Sequence, residues 1–145
     1  MVVRVSDVLA VLGGKAVIRK KVASDAEMAR VVAQGLPGRT LRSLRKALKL
    51  TTKEFGEAIL IPERTLLIHQ KRAVLPVAES DRVYRLAQVT AEATDAFGDA
   101  EKAARWLRKP SRSLGGITPL EAARTSAGVR LVEEALGQIM YGNIG

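Results

Sequence analysis

The chain has 145 residues, 47% of them hydrophobic, and a formal net charge of +9 at pH 7, which suffices for one or two small domains with a buried core. With no cysteine and one histidine, it cannot form a disulfide, a catalytic thiolate or a zinc site of its own. No stretch approaches the roughly 20 apolar residues that cross a bilayer. We therefore predict a cytoplasmic protein with no membrane partner.

Residue types that catalysis needs are missing or scattered. The chain has no phosphate-binding P-loop and no GxGxxG sequence, and its carboxylates fall at helix-capping or helix-surface positions. We predict that the protein is not an enzyme and has no catalytic residue, cofactor or metal.

The positive charge lies in the first half of the chain. Basic residues outnumber acidic ones by six to three in residues 1–38 and by nine to three in residues 39–75, whereas residues 76–145 carry nine of each. A basic segment beside a neutral remainder is typical of local phosphate contact. The alternative is that lysine and arginine only solvate helix faces.

Residues 1–38 predict a helical arm. Ser6 precedes a short apolar helix that stops at Gly13, and Ser24 with Glu27 forms a capping box before a second helix. Residues 15–21 are compatible with a connector, a short strand or a helical turn. The arm carries no motif for chemistry, and we expect it to pack on the next domain.

Residues 39–75 have the spacing of a helix-turn-helix, which is the DNA-binding unit of many repressors. Residues 40–50 predict a helix with its apolar side chains facing the core and its basic side chains facing solvent. Thr51 and Glu54 form a capping box for a second helix. Pro62 is expected at the first position of a third helix, which runs to Arg72. The alternative is a plain helical hairpin with a solvated basic face.

In a helix-turn-helix the third of these helices enters the major groove. Glu63 and Arg64 are then candidates for base contacts, because arginine can bind guanine and glutamate can accept from cytosine. His69, without a second metal ligand, is structural or faces DNA. The remaining candidates for phosphate contact or turn geometry are Arg39, Arg42, Thr51, Thr52, Lys53, Thr65, Lys71 and Arg72.

Residues 76–98 predict a long connecting helix that begins at about Glu79 and ends at Gly98, after which Asp99 caps the helix that carries Trp106. Trp106 is a core residue or a site residue. Pro110 ends its helix, and Gly115 with Gly116 then forms a turn.

The last third of the chain has strong signals for where helices begin. Thr118, Pro119 and Glu121 form a capping box with proline at the first helical position. A further helix starts near Ser126, with Val129, Val132, Leu136 and Ile139 or Met140 along one face.

This part of the chain resembles the toxin-binding domain of the Xre/MbcA/ParS antitoxins. The resemblance rests on an ordered set of residues across positions 106–145, namely Trp106, Leu107, Pro110, Leu114, Gly115, Gly116, Thr118, Pro119, Leu120, Gly128, Val132, Glu133, Leu136, Tyr141 and Gly142. It implies an all-α fold, in which an N-terminal helix-turn-helix domain is followed by a small helical toxin-binding domain, over residues 99–145.

The resemblance also implies partners. It predicts an antitoxin that binds a RES-type toxin, which consumes NAD or ADP-ribosylates a target, and that binds operator DNA as a homodimer within a larger toxin–antitoxin assembly. The candidate toxin-binding residues are Trp106, Leu114, Gly115, Gly116, Pro119, Glu133, Tyr141, Gly142, Asn143, Ile144 and Gly145. The alternative is a stand-alone helix-turn-helix repressor whose C-terminal helices only dimerise.

The C-terminal tail is expected to leave the last helix at Gly142. In the family this end reaches toward the NAD pocket of the toxin, so that Tyr141 and Asn143 are candidates to occlude it; the alternative is a frayed terminus.

Overall fold

A computed structural model describes residues 3–142, which form nine α-helices and no strand. This confirms the predicted all-α fold with an N-terminal helix-turn-helix. The helices are α1 (Val5–Val11), α2 (Asp25–Gln34), α3 (Arg39–Leu48), α4 (Thr52–Ile59), α5 (Glu63–His69), α6 (Val77–Phe97), α7 (Ala100–Arg108), α8 (Pro119–Ala122) and α9 (Ser126–Met140). Single 3₁₀ turns cover Gly14–Ala16 and Arg112–Leu114.

Side-chain caps begin three helices where the sequence predicts them, with complete capping boxes at Thr51 and Thr118. The box predicted at Ser24 is half formed, because Oε1 of Glu27 accepts from the Ala23 N–H rather than from that of Ser24. The hydroxyls of Ser24, Thr51 and Thr118 each accept a hydrogen bond from the backbone N–H three residues later, at 3.0 to 3.1 Å. Each such bond satisfies one of the unpaired amides of a first helical turn. Asp99 and Thr125 cap α7 and α9 in the same way.

Six predicted boundaries in α1 to α6 were wrong by one to three residues. Helix α3 runs from Arg39 to Leu48 rather than over residues 40–50, because Lys49 takes the left-handed conformation with φ 57° and ends it. Helix α1 is capped at Arg4 rather than Ser6, because the Asp7 carboxylate accepts from the Arg4 N–H at 3.2 Å. Pro62 is the N-cap of α5 rather than its first residue, and α5 ends at His69 instead of continuing to residue 72. Helix α6 begins two residues before Glu79, since Pro76 with φ −54° is its N-cap.

Helix α6 is the centre of the fold. It packs against α1, α2, α3, α4, α7 and α9, and its small buried side chains, such as Ala87 and Ala93, allow helices to approach from several directions. One continuous core results, running from Val8 in α1 to Leu136 in α9.

The N-terminal arm is part of this core. Leu12 and Met28 are buried in it, the Leu36 N–H donates to the Ser80 hydroxyl at 2.8 Å, and the Leu75 N–H donates to the Leu36 carbonyl at 2.8 Å. These bonds tie the arm to the loop that precedes α6 and to the first turn of α6. Across residues 3–142, no helix has the length and apolar character needed to cross a membrane.

Candidate DNA-binding and toxin-binding surfaces

Helices α4 and α5 meet in a tight turn. Leu60 adopts the left-handed conformation with φ 59°, a role that glycine commonly takes, and the Ile61 N–H donates to the Gly56 carbonyl at 3.0 Å. A β-carbon on Gly56 would lie 2.7 Å from the Ile61 carbonyl oxygen. The turn therefore needs glycine within α4, at the point of closest approach, rather than between the helices.

The start of α4 is fixed by charge as well as by hydrogen bonds. The Thr51 N–H donates to Oε1 of Glu54 at 2.8 Å, and the Thr51 hydroxyl accepts from the Glu54 N–H. The backbone hydrogen bond from Thr51 lowers the pKa of Glu54. An ionised carboxylate at this position is also stabilised by the positive end of the helix dipole.

The first turn of α5 is presented to solvent. Leu66 anchors the helix in the core, whereas Glu63 and Arg64 are exposed. Leu67 and Ile68 are exposed as well, Ile68 by 60%. Sequence reasoning missed these two apolar residues, which have the chemistry to contact thymine methyl groups in a major groove.

His69 joins α5 to α6. Its Nδ1 donates to Oε1 of Glu79 at 2.7 Å, and both side chains are largely buried. The Arg72 guanidinium lies 3.5 Å from Nε2 of the same ring. His69 thus has a structural partner, and its contact with DNA stays a prediction.

A basic groove lies beyond the end of α5. A cavity of about 670 Å³ is lined by Arg39, Lys71 and Arg72, together with Arg19 and Lys20 from the arm. The sequence had placed no chemistry in the arm, so Arg19 and Lys20 are additional candidates for phosphate contact. The other predicted DNA-contact residues are exposed (Arg42, Thr51, Lys53) or half-buried (Thr52, Thr65).

The C-terminal candidates divide between core and surface. Trp106 is half-buried and packs against Phe97 with ring centroids 5.8 Å apart, while Leu114 and Pro119 are buried. Gly115 and Gly116 are exposed and have positive φ, 74° and 90°, so this turn needs residues without a β-carbon.

The last described residues lie at the end of α9. Tyr141 is its C-cap, with 73% of its surface exposed, and Gly142 has φ 75°. Helix α9 thus ends at Met140, two residues before the predicted position, and Gly142 has the left-handed conformation expected of a helix stop. Asn143, Ile144 and Gly145 lie outside the described residues. Glu133 is half-buried on the face of α9 that packs against α6.

Three arginines from later in the chain donate to the helix-turn-helix: Arg82 on α6, Arg108 on α7 and Arg124 after α8. The Arg82 guanidinium donates to the Leu60 carbonyl at 3.0 Å, that of Arg108 donates to the Leu48 carbonyl at 3.1 Å, and that of Arg124 donates to the Glu57 carbonyl at 2.9 Å. These carbonyls lie at the C-terminal ends of α3 and α4, which lack intrahelical donors and carry partial negative charge.

The fold and its two surfaces define an all-helical, helix-turn-helix DNA-binding protein with a helical C-terminal domain. Residues 27–88 match the antitoxin Xre-like helix-turn-helix domain, a wider range than residues 39–75, and residues 92–142 match the antitoxin Xre/MbcA/ParS C-terminal toxin-binding domain. The chain belongs to the Xre/MbcA/ParS family of antitoxins, as the resemblance indicated.

Individual relatives agree with this assignment. An antitoxin Xre of Pseudomonas putida is 40% identical over 123 residues, which are 84% of this chain and 76% of the relative. An antitoxin Xre of Photorhabdus laumondii is 40% identical over 65 residues, 44% of each chain. A Prs ADP-ribosylating antitoxin of a Sphingobium species is 29% identical over 132 residues, 83% of this chain and 82% of that one. Antitoxin and helix-turn-helix domains suggest a regulator rather than an enzyme.

Proposed function

We propose that this protein acts in the cytoplasm as a non-catalytic antitoxin that binds and occludes a RES-type, NAD-consuming or ADP-ribosylating toxin and, as a homodimer, represses its own operon. The observation that carries the proposal is the order of the two family matches, a helix-turn-helix followed by a toxin-binding domain, over residues 27–142.

Within this proposal, residues 39–75 contact operator DNA and residues 99–145 contact the toxin, while residues 1–38 form an accessory arm and residues 76–98 connect the two. The exposed first turn of α5, with Glu63 and Arg64, supports base reading at that point. The exposed Gly115–Gly116 turn and Tyr141 support a protein contact at the other end.

DNA reading is tested by fluorescence anisotropy with operator DNA at two salt concentrations. Arg64→Ala should weaken binding by about 1 to 3 kcal/mol and relax base preference at one position, whereas Lys71→Ala should weaken all sequences alike and reduce the salt dependence. Arg130→Ala removes the same charge from the exposed surface of α9 and should change neither. Unchanged affinity and base preference in Arg64→Ala would remove this residue from the DNA-contact set.

Toxin occlusion is tested by co-purification with the product of the adjacent reading frame and by that protein's NAD consumption in vitro. Deleting residues 143–145 should restore NAD loss without lowering the melting temperature. Gly116→Val should weaken toxin binding because φ 90° strains any residue with a β-carbon. A truncated chain that inhibits fully would place occlusion on the surface of residues 106–119. If no toxin co-purifies, the alternative, a repressor whose C-terminal helices only dimerise, is favoured.

A further inference from the structure

An acidic cavity lies on the side of the fold formed by α1, α2, α6 and α9. Its volume is about 290 Å³. Valine and methionine side chains form part of its wall, and its polar lining comprises Asp25, Tyr84, Gln88, Glu92 and Glu133. Among residues 3–142, no lysine, arginine or histidine lines it. Within residues 3–142 the charged groups that line the cavity are thus all carboxylates, in a protein of net charge +9.

Glu92 is the unusual member of this lining. Its side chain is buried, with 3% of its surface exposed, and its Oε1 has no hydrogen-bond partner within the described part of the chain. The other fully buried polar residues are satisfied: the hydroxyls of Thr40 and Thr90 donate to carbonyls at 2.6 Å, and that of Ser80 accepts from a backbone amide. Among the described residues one further buried side-chain atom, Nε of the half-buried Arg124, also has no partner. Since buried polar groups normally have partners, the unpaired Oε1 is free to accept a hydrogen bond from a water, an ion or a ligand in the cavity.

The surroundings of Glu92 make its charge costly. Burial, a hydrogen bond with Glu133 and the negative charge of Glu133 together raise the pKa of Glu92 to about 8. Burial and the charges of Asp25 and Glu92 also raise the pKa of Tyr84. The positive charge of the chain's amino terminus acts in the opposite direction and lowers the pKa of Glu92. The net effect is a raised pKa, so Glu92 is largely protonated at neutral pH.

We propose that this cavity is a binding site for an organic cation with a guanidinium head group. Glu92 and Glu133 lie on neighbouring helices and offer carboxylate oxygens to a planar, five-donor group, for which paired carboxylates are the preferred partners. The Tyr84 hydroxyl and the Gln88 amide oxygen supply further acceptors, and the apolar wall suits an alkyl stem. Among the described residues no three ligands come close enough for a metal ion. The guanidinium group belongs either to an arginine of a partner protein or to a free guanidinium compound.

The direct test is titration of the isotopically labelled chain with methylguanidinium chloride, followed by two-dimensional amide NMR. We expect saturable shifts confined to α2, α6 and α9, with a Kd of about 1 mM. Because Glu92 must release its proton to bind a cation, affinity should be about fivefold weaker at pH 7 than at pH 8. Tetramethylammonium chloride, a cation without donors, controls for ionic strength and should cause no saturable shift.

Matched variants assign the effect to the carboxylates. Glu92→Gln keeps the shape and removes the charge, so it should abolish binding, whereas Glu134→Gln removes one charge from the exposed side of α9 and should bind as the parent does. Glu133→Gln should weaken binding at least tenfold and provides a second readout if Glu92→Gln folds poorly. Absence of saturable shifts in the parent would overturn the proposal. So would shifts in Glu92→Gln and Glu133→Gln that equal those of the parent.

Repeating the titration by calorimetry on a purified complex with the toxin separates the two sources. If a toxin arginine fills the cavity, the complex should not bind methylguanidinium and Glu92→Gln should weaken the complex. If the complex binds the probe as the free chain does, the natural ligand is a small molecule.

Discussion

Replacing Glu92 with glutamine should stabilise the fold, and the gain should increase with pH. Glu92 is protonated more readily in the folded chain, with a pKa of about 8, than at its ordinary value of 4.5. Unfolding therefore releases a proton between these two values, and the free energy of unfolding falls as pH rises from about 4.5 to 8. Glutamine has no proton to lose, so its variant lacks this decrease.

The pKa difference sets the size of the effect. One pKa unit corresponds to about 1.4 kcal/mol, which gives an upper limit of about 5 kcal/mol. Helix adjustment and water entry lower the cost of a buried charge, so we expect Glu92→Gln to exceed the parent by about 2 kcal/mol more at pH 8.5 than at pH 5.

Urea denaturation at half-unit steps from pH 5 to pH 9 measures this difference. Contributions from titrating groups distant from Glu92 cancel between variant and parent. Glu134→Gln should track the parent at every pH, because its side chain is exposed. A Glu92→Gln curve parallel to that of the parent, or lower stability at pH 8.5, would refute the reasoning.

Three further predictions concern backbone geometry and a buried hydrogen bond, each checked by urea or thermal denaturation. Gly128→Ala would place a β-carbon 1.7 Å from the Ala122 carbonyl oxygen and should cost about 3 kcal/mol of stability. In the same helix, a β-carbon at Gly137 meets nothing within 4 Å, so Gly137→Ala should stabilise the fold by about 0.8 kcal/mol. A similar loss of stability in both variants would contradict this packing. Lys49 has φ 57°, so Lys49→Gly should stabilise by about 1 kcal/mol, whereas Lys49→Ala should not. Ser80→Ala leaves a buried amide without an acceptor and should cost about 1 to 2 kcal/mol; an unchanged midpoint would mean that the bond contributes nothing.

Local signals were sufficient for most of the fold. Thr51 and Thr118 each precede a glutamate at the spacing of a capping box, and the hydrogen bonds that define such a box involve only neighbouring residues. Ser6 predicted the wrong cap for α1. The carboxylate of the next residue, Asp7, accepts a hydrogen bond from the Arg4 N–H, so the helix begins earlier. Two local signals competed there, and only the packed chain decides between them.

The features that depend on distant residues were not predictable. Glu92 stands among alanines and threonines in α6, and nothing in that stretch indicates that its carboxyl meets Glu133 of α9 inside a cavity. Leu67 and Ile68 follow Leu66 in a short apolar run, and nothing in the sequence indicates that α5 buries only Leu66. In each case the partner, or its absence, is set by tertiary packing.

The arginines that donate to the ends of α3 and α4 have a consequence for recombination between related proteins. A hybrid that joined this helix-turn-helix to a foreign C-terminal half would lose the donors from Arg108 and Arg124. The exposed carbonyls would then hydrogen-bond to water, and α3 and α4 would be freer to change their relative angle. Exchange of operator specificity between family members should therefore succeed only when the C-terminal half that receives the new helix-turn-helix has arginines at equivalent positions. The two halves of the chain should then be inherited together.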